Sequence, residues 1–254
     1  MKMTRLTALV CCFVMLCLCF ASCDDLGGTV ELQTDKYVAT VTTKLATNDA
    51  KMKDVLLAAG SPVTTISVNG DDLMIESEAK INDISMNNGY VYIDGVLYHS
   101  KQITVSDKSV SSYTKADMDA TQCRALISSV GSGADISISD FATVDKTSSG
   151  NIESYSCSII TDEANSSLCS VFADKLALTG ATVTLDDVIY SEDHTDGRIT
   201  ASVLSCSFII NLDGEEYAVT MHTYYSYDYD AEVSISAPAD ADKYNKVSTE
   251  EILK

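Results

Sequence analysis

The sequence predicts an α+β protein, a strongly curved antiparallel β-sheet wrapping about three helices, and three observations carry that prediction. From Lys36 onward most of the chain alternates apolar and polar residues, the period of a half-buried strand. Three stretches break this alternation with apolar residues at helical spacing. Turn pairs of the Asn-Gly and Asp-Gly kind recur between the alternating runs, and short hairpins join antiparallel neighbours. No GxGxxG sequence or βαβ rhythm is present, which argues against a parallel dinucleotide-binding sheet.

The first element is a leader. Residues 1–22 open with a basic end, Met1 to Arg5, followed by an apolar run from Leu6 to Phe20. That run is shorter than the roughly 20 residues of a bilayer-spanning helix and has the length of a signal-peptide core. Phe20-Ala21-Ser22-Cys23 resembles the lipobox of bacterial lipoproteins, with Phe20 standing where Leu is usual. The resemblance implies that Cys23 takes a diacylglycerol thioether and becomes the new N-terminus. The alternative is ordinary cleavage after Ala21 or Ser22, giving a soluble secreted chain. Of the 9 cysteines, Cys11, Cys12, Cys17 and Cys19 leave with the signal. Lipidation of Cys23 then leaves Cys123, Cys157, Cys169 and Cys206, an even set. The expected organisation is a signal at 1–22, a lipid-anchored tether at 23–35, and a folded domain at 36–254. This places the protein outside the cytoplasm, on the cell membrane of a bacterial envelope.

The domain begins with a strand whose Tyr37, Ala39, Val41, Thr43 and Leu45 share one face. Asn48 reads as an N-cap for a helix carrying Met52, Val55, Leu56 and Ala59, ended by Gly60 and Pro62. Val63–Val68 and Leu73–Ile81 are strands joined at Asn69-Gly70, and Tyr90–Ile93 and Val96–Tyr98 flank the hairpin signature Asp94-Gly95. A second helix is predicted from about Lys115 to Val130, with Cys123, Leu126, Ile127 and Val130 on one side. A third follows Thr161, with Asp162 and Glu163 in its first turn, Leu168, Phe172 and Leu176 as its stripe, and Gly180 closing it. Further turns are expected at Ser149-Gly150-Asn151, Asp196-Gly197 and Asp213-Gly214.

Arg198 to Leu212 and Glu215 to Asp230 form the most informative pair. Each arm is about 50 Å long at 3.3 Å per residue, and strand twist curls a ribbon of that length. On the second arm Tyr217, Val219, Met221, Tyr225, Tyr227 and Tyr229 share a face, with Thr220, His222, Ser226, Asp228 and Asp230 on the other. The first arm keeps Leu204, Cys206, Phe208 and Ile210 on its apolar side.

This order of elements resembles the half-barrel lipoproteins of the outer-membrane lipoprotein carrier (LolA-like) type and the mycobacterial LppX/LprG type. The residues that carry the likeness are the lipobox, the hairpin Tyr90–Tyr98 with the helix after it, and a further strand, helix and strand set. The ending is also similar to lipoproteins of Gram-positive gut bacteria, through Asp196-Gly197-Arg198-Ile199, Ala237-Pro238-Ala239-Asp240-Ala241-Asp242 and Thr249-Glu250-Glu251-Ile252-Leu253. The resemblance implies a half-barrel with an apolar groove for acyl chains between sheet and helices. Periodicity alone implies only a curved, one-sided sheet covered by helices. On that implication Leu126, Val130, Leu168 and Phe172 are the groove's helical side and possible lid. Leu204, Phe208, Ile210, Val219, Met221, Tyr225 and Tyr227 are its strand side. The competing reading of the same residues is a close-packed core of small and medium side chains, in a protein whose outer face meets another protein or a polymer.

Composition narrows the partners. Lys and Arg number 17 against 37 Asp and Glu, a net charge of −20, and loss of Lys2 and Arg5 with the leader makes the mature chain more acidic still. Such a chain repels phosphate backbones and anionic membrane surfaces, so nucleic acid is not an expected partner. Contact with a membrane is expected through the acyl anchor alone; the expected ligand is lipid-like, with a second envelope protein a possible partner. No HExxH, CxxC or GxSxG sequence occurs, and His99, His194 and His222 are scattered, so neither an enzyme nor a cofactor is predicted. The acidic pairs Asp71-Asp72, Asp186-Asp187 and Glu215-Glu216 lack the spacing of a calcium loop and read as solvated turns. Four cysteines allow three pairings, and the sequence does not choose among them.

Overall fold

A computed structural model of the chain describes residues 36–50, 52–53, 56, 62–81, 83–123, 136–176, 180–212 and 214–252. The expected leader, lipobox-like Phe20–Cys23 and tether lie outside the described residues, as do Val55, Ala59, Leu126, Ile127 and Val130.

Among the described residues, twelve strands follow one another along the chain. They are β1 (Lys36–Thr47), β2 (Val63–Asn69), β3 (Asp72–Ile81), β4 (Ile84–Ile93), β5 (Val96–Val105), β6 (Lys108–Asp117), β7 (Val144–Ser149), β8 (Ile152–Ser158), β9 (Thr182–Thr195), β10 (Arg198–Leu212), β11 (Glu215–Asp228) and β12 (Asn245–Lys246). Their hydrogen-bonded order is β12-β6-β5-β4-β3-β2-β1-β11-β10-β9-β8-β7. The described residues form two compact units, one within Thr43–Gly60 and Gly133–Tyr224, the other within Ala21–Thr42, Ser61–Ser132 and Tyr225–Lys254.

The α+β expectation of a sheet wrapping about three helices is corrected: the described residues are mostly β-strand, with few of them in helices. The predicted second helix began at Lys115, which belongs to β6; helix starts only at Ala120, after Asp119 accepts from the Gln122 amide at 2.8 Å and the Gln122 side chain accepts in return at 3.2 Å. The reason β6 escaped notice is visible in its burial. Lys108 to Ser112 are exposed on both faces, so no apolar alternation marks them. The Val144–Ser149 strand is likewise exposed throughout and carries no amphipathic signal.

In the unit containing β2 to β6, consecutive hairpins build the sheet. At the β4–β5 turn Asp94 and Gly95 have φ of 52° and 77°, the left-handed pair a two-residue type I′ turn requires. That turn sets the register: Tyr92 faces Leu97, and Tyr90 faces His99. Inward residues of three successive strands therefore meet, with Ile75 and Leu97 fully buried and Leu73, Tyr90 and Tyr92 nearly so. Gly89 allows a close approach, since a Cβ there would stand 2.9 Å from Ser100 Oγ. The C-terminal segment docks on β6: β12 pairs parallel to it, and Tyr244 packs edge-on against Tyr98 at 5.4 Å.

The other unit contains β7 to β10, most of β11 and the end of β1. The Asp162–Leu176 helix lies between β8 and β9 in sequence, as predicted, and opens on Thr161, whose carbonyl accepts from the Asn165 amide at 2.9 Å. β9 and β10 pair through two register shifts, one beside Ser207 and Phe208. Such bulges bend a strand and increase its local twist.

Candidate functional site

The residues singled out for a groove lie mainly in the unit of β7 to β10. On β10, Leu204, Phe208 and Ile210 alternate inward and are 0–2% exposed. On β11, Val219 and Met221 do the same, at 0% and 7%. The Asp162–Leu176 helix presents Leu168 and Phe172, four residues apart on one face and 1% and 3% exposed. Phe172 lies flat on Phe208, with ring centroids 3.9 Å apart and planes 9° from parallel. Met52, Leu56, Phe141, Cys157, Val188, Tyr190 and Cys206 complete one continuous cluster. Each large side chain buried this way contributes about 1.5–3 kcal/mol relative to exposure, so the cluster holds the helix to the strands.

Seven of the eleven candidates thus come together: Leu168, Phe172, Leu204, Phe208, Ile210, Val219 and Met221. Tyr225 and Tyr227 do not join them. They fall in the other unit, where Tyr227 and Tyr229 pack against Tyr37 at 6.2 and 6.1 Å. Leu126 and Val130 are outside the described residues. Met52 and Leu56 are helical and buried, as the spacing predicted, but the N-cap is Asp49 rather than Asn48: Asp49 Oδ1 accepts from the Met52 amide at 2.9 Å.

Sequence reasoning passed over a buried carboxylate in this unit. Glu192 on β9 is 5% exposed, accepts from the Tyr190 hydroxyl through Oε1, and has His194 Nε2 2.8 Å from Oε2. Tyr190 in turn stacks on Phe141 at 5.6 Å. A carboxylate so buried needs hydrogen-bonding partners, and the neighbours on its own strand face supply them. The signal was the spacing Tyr-x-Glu-x-His, which alternation places on one side of β9.

The other histidines sit apart. His222 Nδ1 lies 2.9 Å from Ser205 Oγ on the polar face of β10 and β11. His99 lies 2.6 Å from Asn88 Oδ1, and burial first, then the charge of Lys101, pulls its pKa down to about 4. Among the described residues no group of three or more His, Cys, Asp or Glu is placed to hold a metal ion. No helix among them is long and apolar enough to cross a membrane.

No family profile matches the chain, and no curated protein matches it. Among solved structures, the YwiB protein from Bacillus subtilis is similar at a TM-score of 0.20 and 8% identity, over 76% of this chain and 93% of that one.

Proposed function

We propose that this chain is a lipid-anchored, extracytoplasmic, non-enzymatic binding protein whose partner engages its surface rather than its interior. The observation that supports this reading is the packing of the groove candidates. Seven side chains that would line an acyl site are in contact within one cluster, with Phe172 stacked on Phe208. Admitting a hydrocarbon tail would separate those side chains and forfeit their mutual burial. The net charge of −20 favours a cationic or neutral partner over an anionic one. Anchoring rests on the lipobox-like Phe20-Ala21-Ser22-Cys23.

A second reading keeps a lipid-like ligand and uses the Asp162–Leu176 helix as a lid. What favours it is that Leu168 and Phe172 are that helix's buried contacts on an apolar strand face, so its departure would bare a continuous oily surface.

One preparation separates the two. A fragment beginning at Asp24 is purified, and native mass spectrometry is compared before and after lipid extraction. The surface-binding reading expects the bare polypeptide mass in both samples; a reproducible co-purified lipid, lost on extraction, overturns it in favour of the lid reading. Intact mass of the membrane-fraction protein tests the anchor, which expects a diacylglycerol adduct on Cys23.

A further inference from the structure

We infer that Asn69 is a site of spontaneous deamidation, with water as the co-reactant, and that the fold withholds the same reaction from Asn88. Asn69-Gly70 and Asn88-Gly89 are the two Asn-Gly pairs of the chain. In this chemistry the Asn side chain is attacked by the backbone nitrogen of the next residue, and a glycine there has no side chain to obstruct the approach. Local sequence ranks the two pairs equally. Their places in the fold do not. Asn69 ends β2; it is exposed, and its pairing with Asp72 is the last rung of the β2–β3 ladder. Gly70 lies beyond that rung with φ of 64°, and a Cβ built on it would meet nothing within 4 Å. A two-residue turn closes through its flanking residues, which leaves the nitrogen of its first residue, here Gly70, outside the ladder.

Asn88 stands in the middle of β4, 8% exposed, with His99 Nε2 2.6 Å from its Oδ1. Gly89 is paired with Glu76 on β3 and with Ser100 on β5. Inside an antiparallel sheet each amide is engaged by one neighbouring strand or the other, so the Gly89 nitrogen is held. The glycine also lacks room, since a Cβ there would stand 2.9 Å from Ser100 Oγ. Swinging the Asn88–Gly89 peptide toward the side chain breaks ladder bonds and the His99 contact. Reaction at Asn88 therefore waits on opening of the sheet.

At Asn69 the Gly70 nitrogen gives its proton to solvent base and attacks Cγ, forming a C–N bond. The Cγ–Nδ2 bond then breaks, and the leaving nitrogen takes up a proton and departs as ammonia. Water opens the resulting cyclic succinimide at either carbonyl. One opening restores the ordinary backbone as aspartate; the other routes the chain through the side-chain carbonyl as isoaspartate. Nothing is oxidised or reduced. Aspartate at this position stands directly opposite Asp72, where like charges weaken a cross-strand pair, while Lys36 on β1 faces it from the other flank. Isoaspartate lengthens the backbone at a residue paired to both of those strands, so the end of the β2–β3 hairpin changes irreversibly with age.

The test incubates the whole chain at mildly alkaline pH in water enriched in the heavy oxygen isotope, folded in one arm and unfolded by urea in the other. Digestion and peptide fragmentation then localise each conversion of amide to acid. In the folded chain Asn69 should convert, taking up heavy oxygen, at least about tenfold faster than Asn88, because only Asn88 must wait for the sheet to open. Sequential N-terminal degradation of the converted peptide should halt at position 69 in its isoaspartate fraction. In urea the two sites should react at similar rates, since the ladder that holds Gly89 is gone. Asn69→Ser should remove the main acidic form that anion exchange resolves from aged folded protein. Asn69 remaining intact in the folded chain while both sites react in urea, or Asn88 keeping pace with Asn69 in the folded chain, overturns the inference.

Discussion

Acid should destabilise the unit of β2 to β6 through His99. The ring stacks on Tyr90 at 4.4 Å and 10° and is hydrogen-bonded to Asn88, itself 8% exposed. The surroundings accept a neutral imidazole and resist an imidazolium. In the unfolded chain the group titrates near 6.5; in the folded chain burial and Lys101 lower its pKa to about 4. The unfolded state therefore binds the proton first as pH falls, so the contribution of His99 to stability is complete above pH 6.5 and is lost between 6.5 and about 4. At 1.36 kcal/mol per pKa unit the loss reaches about 3 kcal/mol, a large part of a domain's usual margin. Urea unfolding at pH 7, 5.5 and 4.5 measures it, with tyrosine fluorescence as the signal because the chain has no Trp. Carboxylates titrate over part of the same range, so the informative quantity is the difference between wild type and His99→Gln. The variant should be weaker at pH 7 and show a slope shallower by up to one proton over that window. Parallel stability profiles for the two proteins down to pH 4 refute the reasoning.

Three other outcomes are expected. Phe172→Ala should cost about 3–5 kcal/mol by opening a cavity beside Phe208, read as a fall in urea midpoint with little change in slope. Asp49→Ala should lose about 1 kcal/mol through the Met52 amide cap while Asn48→Ala, one residue earlier, leaves the midpoint nearly unchanged, so equal losses would return the cap to Asn48. Lys80→Ala removes an exposed ion pair to Glu78 at 2.8 Å and should leave the urea midpoint unmoved.

The legible parts of this protein are those in which local chemistry and burial agree. Alternation identified Tyr37, Ala39 and Val41 on β1 and the inward rows of β10 and β11, because each strand there has one apolar and one polar face. Asp94-Gly95 announced its hairpin because few other pairs tolerate positive φ at both positions. The Asp162–Leu176 helix was readable from its capping threonine, acidic first turn and apolar stripe. Where burial gives no alternation, as in β7 and the outer half of β6, strand was invisible, and the helix predicted from Lys115 began inside the end of β6.

The sequence by itself determined the turns, the face of each amphipathic element and the cysteine inventory, since all of these follow from residues within a few positions of one another. Only tertiary structure decided which faces meet. Phe172 is 36 positions from Phe208, and no local pattern says that their rings stack or that the face of β9 carrying Glu192 is buried. Those facts depend on strand order and register, which arise from the cooperative burial of distant segments rather than from the preference of any one of them.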